Sequence, residues 1–194
     1  MTGGPDSDDR SGDLSDPSDP RDLPDPPEDV TVEAATPEDR LDVLRILDAA
    51  MLETDADTVD GRIAAGDALV ARSARTDGVV GALVAVRPAP DRLRVDAVAV
   101  RRARRGRGIG SALVAGTVRR AARDPAVAAV TATFDADLRA FYEGLGFAVR
   151  PAGAADDAAD GGADDAGDGR AGAPADGSPE RLEGRVSVPG REPP

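Results

Sequence analysis

A short run of arginines and glycines at residues 105–110, RGRGIG, has the composition best suited to binding chemistry. Three glycines at every second position leave the backbone N–H groups accessible. A helix predicted to start here also leaves its first N–H donors without partners, and the positive end of its dipole points the same way. The turn therefore predicts an anion site, with a phosphate as the leading ligand. A plain strand-to-helix turn flanked by solvated arginines is the alternative.

The segments on either side must hold this turn in place. Residues 95–100 alternate and are rich in β-branched side chains, which predicts a strand. After the turn, Ile109, Leu113 and Ala121 have helical spacing, and Asp124-Pro125 ends the predicted helix. The turn therefore joins the end of a strand to the start of a helix.

The remaining pattern predicts an α/β fold in the order β-α-α-β-β-β-α-β-α-β, with a mixed sheet and helices on both faces. The other strands are predicted at residues 30–34, 68–73, 79–86, 128–134 and 147–149, the last before a break in the pattern. The first helix is predicted from Thr36 to about Glu53, and the residues Arg87-Pro88 end the strand before them. Residues 181–188 alternate again, which favours a final strand over a disordered tail.

Acidic residues are concentrated outside this pattern. The formal charge is −13, and residues 1–29 and 151–180 hold most of the excess acid. Both segments have too few apolar residues to bury, so we expect a disordered tail and a disordered insertion or linker. The predicted organisation is a domain over 30–150, completed by 181–188, with a short tail at 189–194.

Several reactive residue types are missing. The chain has no cysteine, no histidine and no lysine. This excludes thiolate chemistry, a Ser-His-Asp triad, a Schiff base and the lysine of a phosphate-binding loop, and it predicts no metal site. Any catalysis must use Asp, Glu, Tyr, Ser, Thr, Arg or backbone dipoles.

The composition resembles that of proteins from haloarchaea and other salt-accumulating halophiles, being free of lysine and rich in Asp and Ala. A GC-rich genome is the alternative explanation. No apolar run is long enough to span a bilayer, and the first residues, MTGGPDSDDR, lack the features of a signal peptide. We therefore expect a cytoplasmic protein with no membrane partner.

Two motifs together resemble the GNAT superfamily of N-acyltransferases. Arg105-x-x-Gly108-x-Gly110 matches the family's R/Q-x-x-G-x-G/A motif, and residues 135–147, DADLRAFYEGLGF, are similar to its A..FYE.LGF segment. The order of elements agrees over about residues 30–150. The resemblance implies an N-acetyltransferase in which an amine attacks acetyl-coenzyme A directly.

The same resemblance implies where the cosubstrate binds. The strand before the turn would splay from the strand at 128–134, so that backbone groups of the first strand lose their partners in the sheet. These groups would hydrogen-bond the acetyl carbonyl and the pantetheine amides of the cosubstrate. The Val98 N–H would stabilise the oxyanion that forms during the reaction. The implied cofactor-binding residues are Val98, Val100, Arg105, Gly106, Arg107, Gly108, Ile109, Gly110 and Ser111.

The resemblance implies that Tyr142 is the catalytic acid, protonated at neutral pH, although it is also suited to a core cluster beside Phe141. Asp96 is the candidate base because strand alternation places it on the same side as Val98; an ion pair with Arg94 is the alternative. Further options for the base are water and the acids Glu53, Asp55 and Asp57.

The competing interpretations are weaker. Gly106-x-Gly108-x-x-Ser111 lacks the third glycine of a dinucleotide-binding fingerprint. No aromatic residues interleave with the arginines, so a nucleic-acid partner is not expected. A non-catalytic coenzyme A sensor or partner-binding module of the same fold stays open. The expected partners are a small-molecule or peptide amine and a second copy in a homodimer.

Overall fold

A computed structural model describes residues 22–52, 54–153 and 181–188. The described elements follow the predicted order, with short 3-10 turns before α1, α3 and α4. They are β1 (Val30–Ala34), α1 (Arg40–Asp48), α2 (Ala56–Ala65), β2 (Ala68–Ser73), β3 (Val79–Ala89), β4 (Arg92–Val100), α3 (Ile109–Ala121), β5 (Ala129–Asp135), α4 (Arg139–Glu143), β6 (Ala148–Pro151) and β7 (Arg181–Ser187).

The strands form one mixed sheet in the order β1-β2-β3-β4-β5-β7-β6. Strands β4 and β5 are parallel, and every other neighbouring pair is antiparallel. Parallel neighbours need a crossover, and α3 supplies it. The predicted mixed α/β fold is confirmed.

Helices cover the sheet unequally. On one face, α1 and α2 pack over β2, β3 and β4 around Val43, Val59 and Val84. On the other face, α3 and α4 bury a second core that includes Leu113, Val130 and Leu182 and extends to β7. Helices therefore lie on both faces, as predicted. Within the described residues no helix is long and apolar enough to cross a membrane.

The final strand lies inside the sheet. Strand β7 pairs with β5 on one side and with β6 on the other, so it separates two strands that precede it in sequence. A Cβ atom at Gly184 would lie 3.0 Å from the Phe134 ring and 3.2 Å from the Phe147 ring. Glycine at this position lets the two rings pack over β7.

The end of the predicted N-terminal tail is part of the folded structure. Residues 22–29 pack against the domain, with Leu23 buried and its carbonyl accepting a hydrogen bond from the Arg119 guanidinium. Asp29 pairs with Arg104 at 3.1 Å. Arginines of the domain thus attach the end of this acidic segment. The rest of the predicted tails and insertion, residues 1–21, 154–180 and 189–194, lies outside the described residues, and the domain boundaries stay predictions.

Helix α1 ends earlier than predicted. It stops at Asp48, and Met51 adopts a left-handed conformation at φ 56° while the Leu52 N–H donates to the Leu47 carbonyl. This turn closes the helix and leaves the Met51 side chain 90% exposed, outside the core that α1 forms with the sheet. Leu41 is also exposed.

Strand β3 runs further than predicted, through Pro88 to Ala89. The pairing with β4 is irregular between Val86 and Ala89. A proline that cannot donate a hydrogen bond is tolerated at such an irregularity, so it did not end the strand.

Candidate active site

Strands β4 and β5 separate partway along their length. Their parallel pairing runs from Arg92 and Ala129 to Val95 and Ala132. Beyond that point β4 continues beside β3 to Val100, while β5 continues beside β7. The sheet therefore opens into a gap between the ends of the two strands, as the resemblance implied.

A bulge in β4 lies where the gap begins. Val84 pairs with Ala97 and the next residue of β3 pairs with Val95, so Asp96 has no partner on β3. Val95 and Val98 both pack into the core beneath α3, although they are three positions apart and regular alternation would place them on opposite faces. The alternation that predicted Asp96 on the same side as Val98 is therefore broken. Asp96 is exposed and pairs with Arg94 at 3.3 Å, the alternative that its neighbours had suggested.

The backbone of β4 beyond the bulge faces the gap at alternate residues. The Arg101 N–H donates to the Val80 carbonyl at 2.9 Å, which places this residue and Ala99 in hydrogen-bonded pairs with β3. The N–H and C=O groups of Val98 and Val100 consequently point away from β3 into the gap. The Arg105 Nε donates to the Val100 carbonyl at 3.0 Å.

The glycine turn begins α3 beside this gap. Gly106 and Gly108 have φ of 71° and 77°, a region in which residues with a Cβ atom are strained. The first intrahelical bond runs from the Ala112 N–H to the Gly108 carbonyl at 2.9 Å. Gly108 is the N-cap, and no side chain caps the helix or places an acid in its first turn. The first N–H groups of α3 are therefore available to an anion.

These groups line one cavity of about 440 Å³. Its walls come from the gap, the glycine turn and the start of α4: Ala50, Val98, Ala99, Val100, Arg104, Arg105, Gly106, Gly108, Ile109, Gly110, Ser111, Leu138 and Phe141. A Cβ atom at Gly106 or Gly108 would meet no atom within 4 Å, so the turn borders open space. The cavity brings together eight of the nine residues predicted to bind the cosubstrate; Arg107 is exposed and does not line it.

The arginines around the turn have different roles. The Arg101 guanidinium donates to the Val79 carbonyl at 2.7 Å and pairs with Asp42, and Arg104 pairs with Asp29. Arg102 and Arg107 are exposed and make no ion pair with a described residue. Only part of the basic cluster is therefore free to meet a ligand.

Tyr142 lies in an aromatic cluster and does not line the cavity. It stacks on Phe134 with ring centroids 4.0 Å apart and meets Phe141 and Phe147 edge-on. It is 3% exposed, and burial raises the pKa of its hydroxyl to about 12. Its hydroxyl makes no hydrogen bond with a described residue. Tyr142 therefore packs in a core cluster beside Phe141, which was the alternative to a catalytic role. Phe141 itself lines the cavity.

Two of the other candidate bases lie at the start of α2. The Asp55 carboxylate caps α2 through the Thr58 N–H at 2.8 Å, and hydrogen bonds from Thr58 hold the pKa of Asp55 below its usual range. Asp57 is exposed in the first turn of α2. Glu53 lies outside the described residues.

A second, larger cavity of about 660 Å³ adjoins the first and was not anticipated from the sequence. It lies between α1 and the turn after β4, and it shares Val100 and Arg105 with the first cavity. Its other charged lining residues are Asp42, Arg45, Arg101 and Arg102. The signal available beforehand was the run of arginines, but only folding shows that α1 packs beside it.

Comparison with known proteins agrees with this geometry. The family model described as acetyltransferase (GNAT) domain matches residues 64–149. No curated protein matches the chain. Among solved structures, the chain is similar to Ard1 from Thermoplasma volcanium, with 20% identity, a TM-score of 0.58, and 82% of this chain and 98% of that chain covered.

Two further solved structures contain coenzyme A or an analogue. Rv2747 from Mycobacterium tuberculosis, in complex with CoA and NLQ, has 25% identity and a TM-score of 0.54 over 61% of this chain and 71% of that one. Arabidopsis thaliana Naa50, in complex with the bisubstrate analogue CoA-Ac-MVNAL, has 20% identity and a TM-score of 0.53 over 63% and 85%. Residues 64–149 are thus similar to the acetyltransferase (GNAT) domain model, and the chain shares its fold with these solved structures.

Proposed function

We propose that the protein is an N-acetyltransferase that moves an acetyl group from acetyl-coenzyme A to an amine. The observation that supports this most directly is the gap beyond Val95 and Ala132, which opens beside the uncapped start of α3. The diphosphate of coenzyme A would bind at the start of α3, and its extended pantetheine chain would lie in the gap. Both positions belong to one cavity, as a single bound coenzyme A molecule requires.

The described residues fit this cosubstrate. The N–H groups of residues 106–111 and the Arg105 guanidinium suit the diphosphate, and Arg107 adds charge from the surface. The backbone groups of Val98 and Val100 suit the pantetheine amides because they face the gap. The apolar wall of Leu138 and Phe141 suits the pantetheine chain.

The proposed reaction is a direct displacement. The amine lone pair forms a bond to the thioester carbonyl carbon, and the Val98 N–H stabilises the resulting oxyanion, a contribution of about 3 kcal/mol. Collapse of the tetrahedral intermediate breaks the C–S bond. The departing thiolate takes the Tyr142 proton, and the proton of the attacking nitrogen passes to Asp96 or to water.

The proposed acid has support from its ionisation. A pKa of about 12 keeps Tyr142 protonated at neutral pH, and the preceding residue of α4, Phe141, lines the cavity that Tyr142 itself does not line. Asp96 lies at the opening of the gap with its side chain 37% exposed, which supports its role as base.

The test is thiol release from acetyl-coenzyme A with a panel of peptide and small-molecule amines. We expect turnover with at least one amine, and Tyr142→Phe should lower kcat by a factor of about 100. Coenzyme A affinity and Tm should stay unchanged, because phenylalanine keeps the ring packing. Full turnover by Tyr142→Phe would remove Tyr142 as the acid.

A non-catalytic coenzyme A sensor of the same fold is the second candidate. The burial of Tyr142 away from the cavity favours it. A sensor would bind acetyl-coenzyme A, measured by calorimetry, and release no thiol with any amine in the panel.

The amino-acid composition supports a proposal about the salt conditions and the cellular location of the protein. We propose a halophilic cytoplasmic protein because the chain combines a formal charge of −13 with an absence of lysine. Stability and activity should then increase with KCl concentration. Native mass spectrometry would test the proposed homodimer.

A further inference from the structure

One half of the sheet has a face without a helix among the described residues. Helices α1 and α2 pack against β2, β3 and β4, whereas α3 and α4 cover the opposite face out to β6 and β7. Alternate residues of the later strands, such as Ala132 and Leu182, point into the α3 side. By strand alternation, the residues between them point to the uncovered face. We call this the open face, and its charged and hydroxyl-bearing residues include Arg92, Arg94, Thr131, Thr133, Asp135, Arg150, Arg181, Glu183 and Arg185.

Arginines on neighbouring strands surround the centre of the open face. Thr131 of β5 pairs with Arg94 of β4 on one side and with Arg185 of β7 on the other. Neighbouring strands are about 4.8 Å apart, so these two arginines lie roughly 10 Å apart across Thr131. Thr131 is only 3% exposed although no helix covers it, which indicates that the arginine side chains lie over it.

The open face has more cations than its carboxylates neutralise. Asp96 pairs with Arg94 at 3.3 Å, and Glu183 pairs with Arg150 at 3.2 Å. Arg185 makes no ion pair or side-chain hydrogen bond with a described residue, and the buried Nε of Arg92 has no hydrogen-bond partner there. An anionic ligand would provide hydrogen-bond acceptors and a counter-charge for these two guanidinium groups.

The open face lies next to the gap, on the side away from the cavity. The cavity is lined by the start of α3 and by Phe141 of α4, so a thioester in it occupies the α3 side of the sheet. An amine that reaches the thioester through the gap comes from the other side. Arg94 is two residues from the bulge at Asp96, a distance of about 7 Å along a strand.

We infer that the open face receives the acceptor, and that the acceptor is a polypeptide whose residues just after the reacting amine bear carboxylates. This inference rests on the proposed function. An extended peptide advances about 3.3 Å per residue, so carboxylates at its second to fourth residues reach Arg94 and Arg185 when its amine is at the gap. A cationic acceptor such as a polyamine would be repelled by the surplus arginines.

The experiment compares two short peptides with the same free N-terminal residue. One has Asp or Glu at positions two to four, the other has Asn or Gln there, and both have a C-terminal fluorophore. Fluorescence anisotropy with the full chain saturated with coenzyme A should give about tenfold tighter binding for the acidic peptide, and its KM should be lower by a similar factor. Added salt should reduce this difference.

Variants of β7 test the assignment of the site. Arg185→Gln should remove most of the preference for the acidic peptide and leave binding of the neutral peptide unchanged. Arg181→Gln is the matched control, because this arginine lies on the same strand and pairs with Asp135 at 3.6 Å. Unchanged Tm in both variants would show that folding is intact.

Three outcomes would overturn the inference: equal binding of the two peptides, an unchanged preference in Arg185→Gln, or acidic binding that appears only after the aspartates of residues 154–180 are replaced by asparagine. The last outcome would mean that the open face serves the chain's own acidic segment. Binding and turnover separate the two proposals. Selective binding of the acidic peptide without thiol release would contradict the proposed acetyltransferase activity and support the open face as a peptide site. Turnover without selectivity would support the activity and contradict the peptide site.

Discussion

Val95 and Ala132 form the last pair of the parallel ladder between β4 and β5, and the bulge at Asp96 follows immediately. The bulge changes which side chains of β4 face α3, and the end of the ladder frees the backbone of the residues beyond it. A single irregularity thus coincides with both properties that a thioester site needs, an open gap and unpaired N–H groups.

Replacing Gly108 tests whether the turn binds the diphosphate. Gly108→Val forces a β-branched residue to φ 77°, a strain of about 1–2 kcal/mol that should move the first N–H groups of α3. We expect Kd for acetyl-coenzyme A, measured by calorimetry, to rise about tenfold or more, and adding Arg105→Glu should raise it further. Gly61→Ala is the control, because this exposed glycine in α2 has open space around a Cβ atom. It should keep the affinity and gain about 0.5–1 kcal/mol of stability. Unchanged affinity in the double variant would rule out the diphosphate site.

Alkaline titration tests the burial of Tyr142. Tyr142 is the only tyrosine, and the chain has no tryptophan, so near-ultraviolet absorbance follows this hydroxyl alone. We expect a pKa of about 12 in the folded protein, against about 10 in denaturant. Because the unfolded chain ionises first, the free energy of unfolding should fall by about 2–3 kcal/mol as pH rises from about 10 to about 12. Tyr142→Phe should lack this loss. A folded-state midpoint near 10 would contradict the packing.

Replacing Asp96 tests the proposed base. Asp96→Asn keeps the size of the side chain and removes its proton-accepting charge. We expect kcat/KM for the amine to fall by a factor of about 100, with coenzyme A affinity retained. The matched control is Asp60→Asn, which removes another exposed aspartate paired with an arginine, Arg40. Equal activity of the two variants would leave water as the base.

Asp39 should stabilise the first part of the fold in a pH-dependent way. Its carboxylate accepts hydrogen bonds from the Thr36 N–H at 2.9 Å and from Arg72 at 2.7 Å, joining the start of α1 to β2. Burial alone would raise the pKa of Asp39, but these hydrogen bonds outweigh it and hold the pKa below its usual range. Asp39→Asn should lower the free energy of unfolding by about 1–3 kcal/mol at neutral pH.

The pH profile of urea unfolding distinguishes this role from simple packing. A lowered folded-state pKa stabilises the protein above the unfolded value of about 3.9, and that stabilisation is lost as pH falls through the folded value. The difference between wild type and Asp39→Asn should therefore disappear in acid. A constant difference at all pH values would assign the effect to packing, and Asp48→Asn, at the exposed end of α1, should show little change.

The amino-acid sequence by itself determined the local features of this protein. Glycines at 106, 108 and 110 next to a helical pattern identified the turn. The two motifs predicted the family whose model matches residues 64–149, and they predicted most of the residues that line the cavity. Strand alternation found β7 as well. These features depend on neighbouring residues, which is why they could be predicted.

Only the tertiary structure decided the position of β7 between β5 and β6, the shift at Asp96 and the burial of Tyr142. The residues of β4 beyond Asp96 are apolar on both faces, Ala97 and Ala99 on one and Val98 and Val100 on the other, so periodicity could not reveal the shift. The open face has the same origin, because Arg94 and Arg185 are far apart in sequence and become neighbours of Thr131 only through strand pairing.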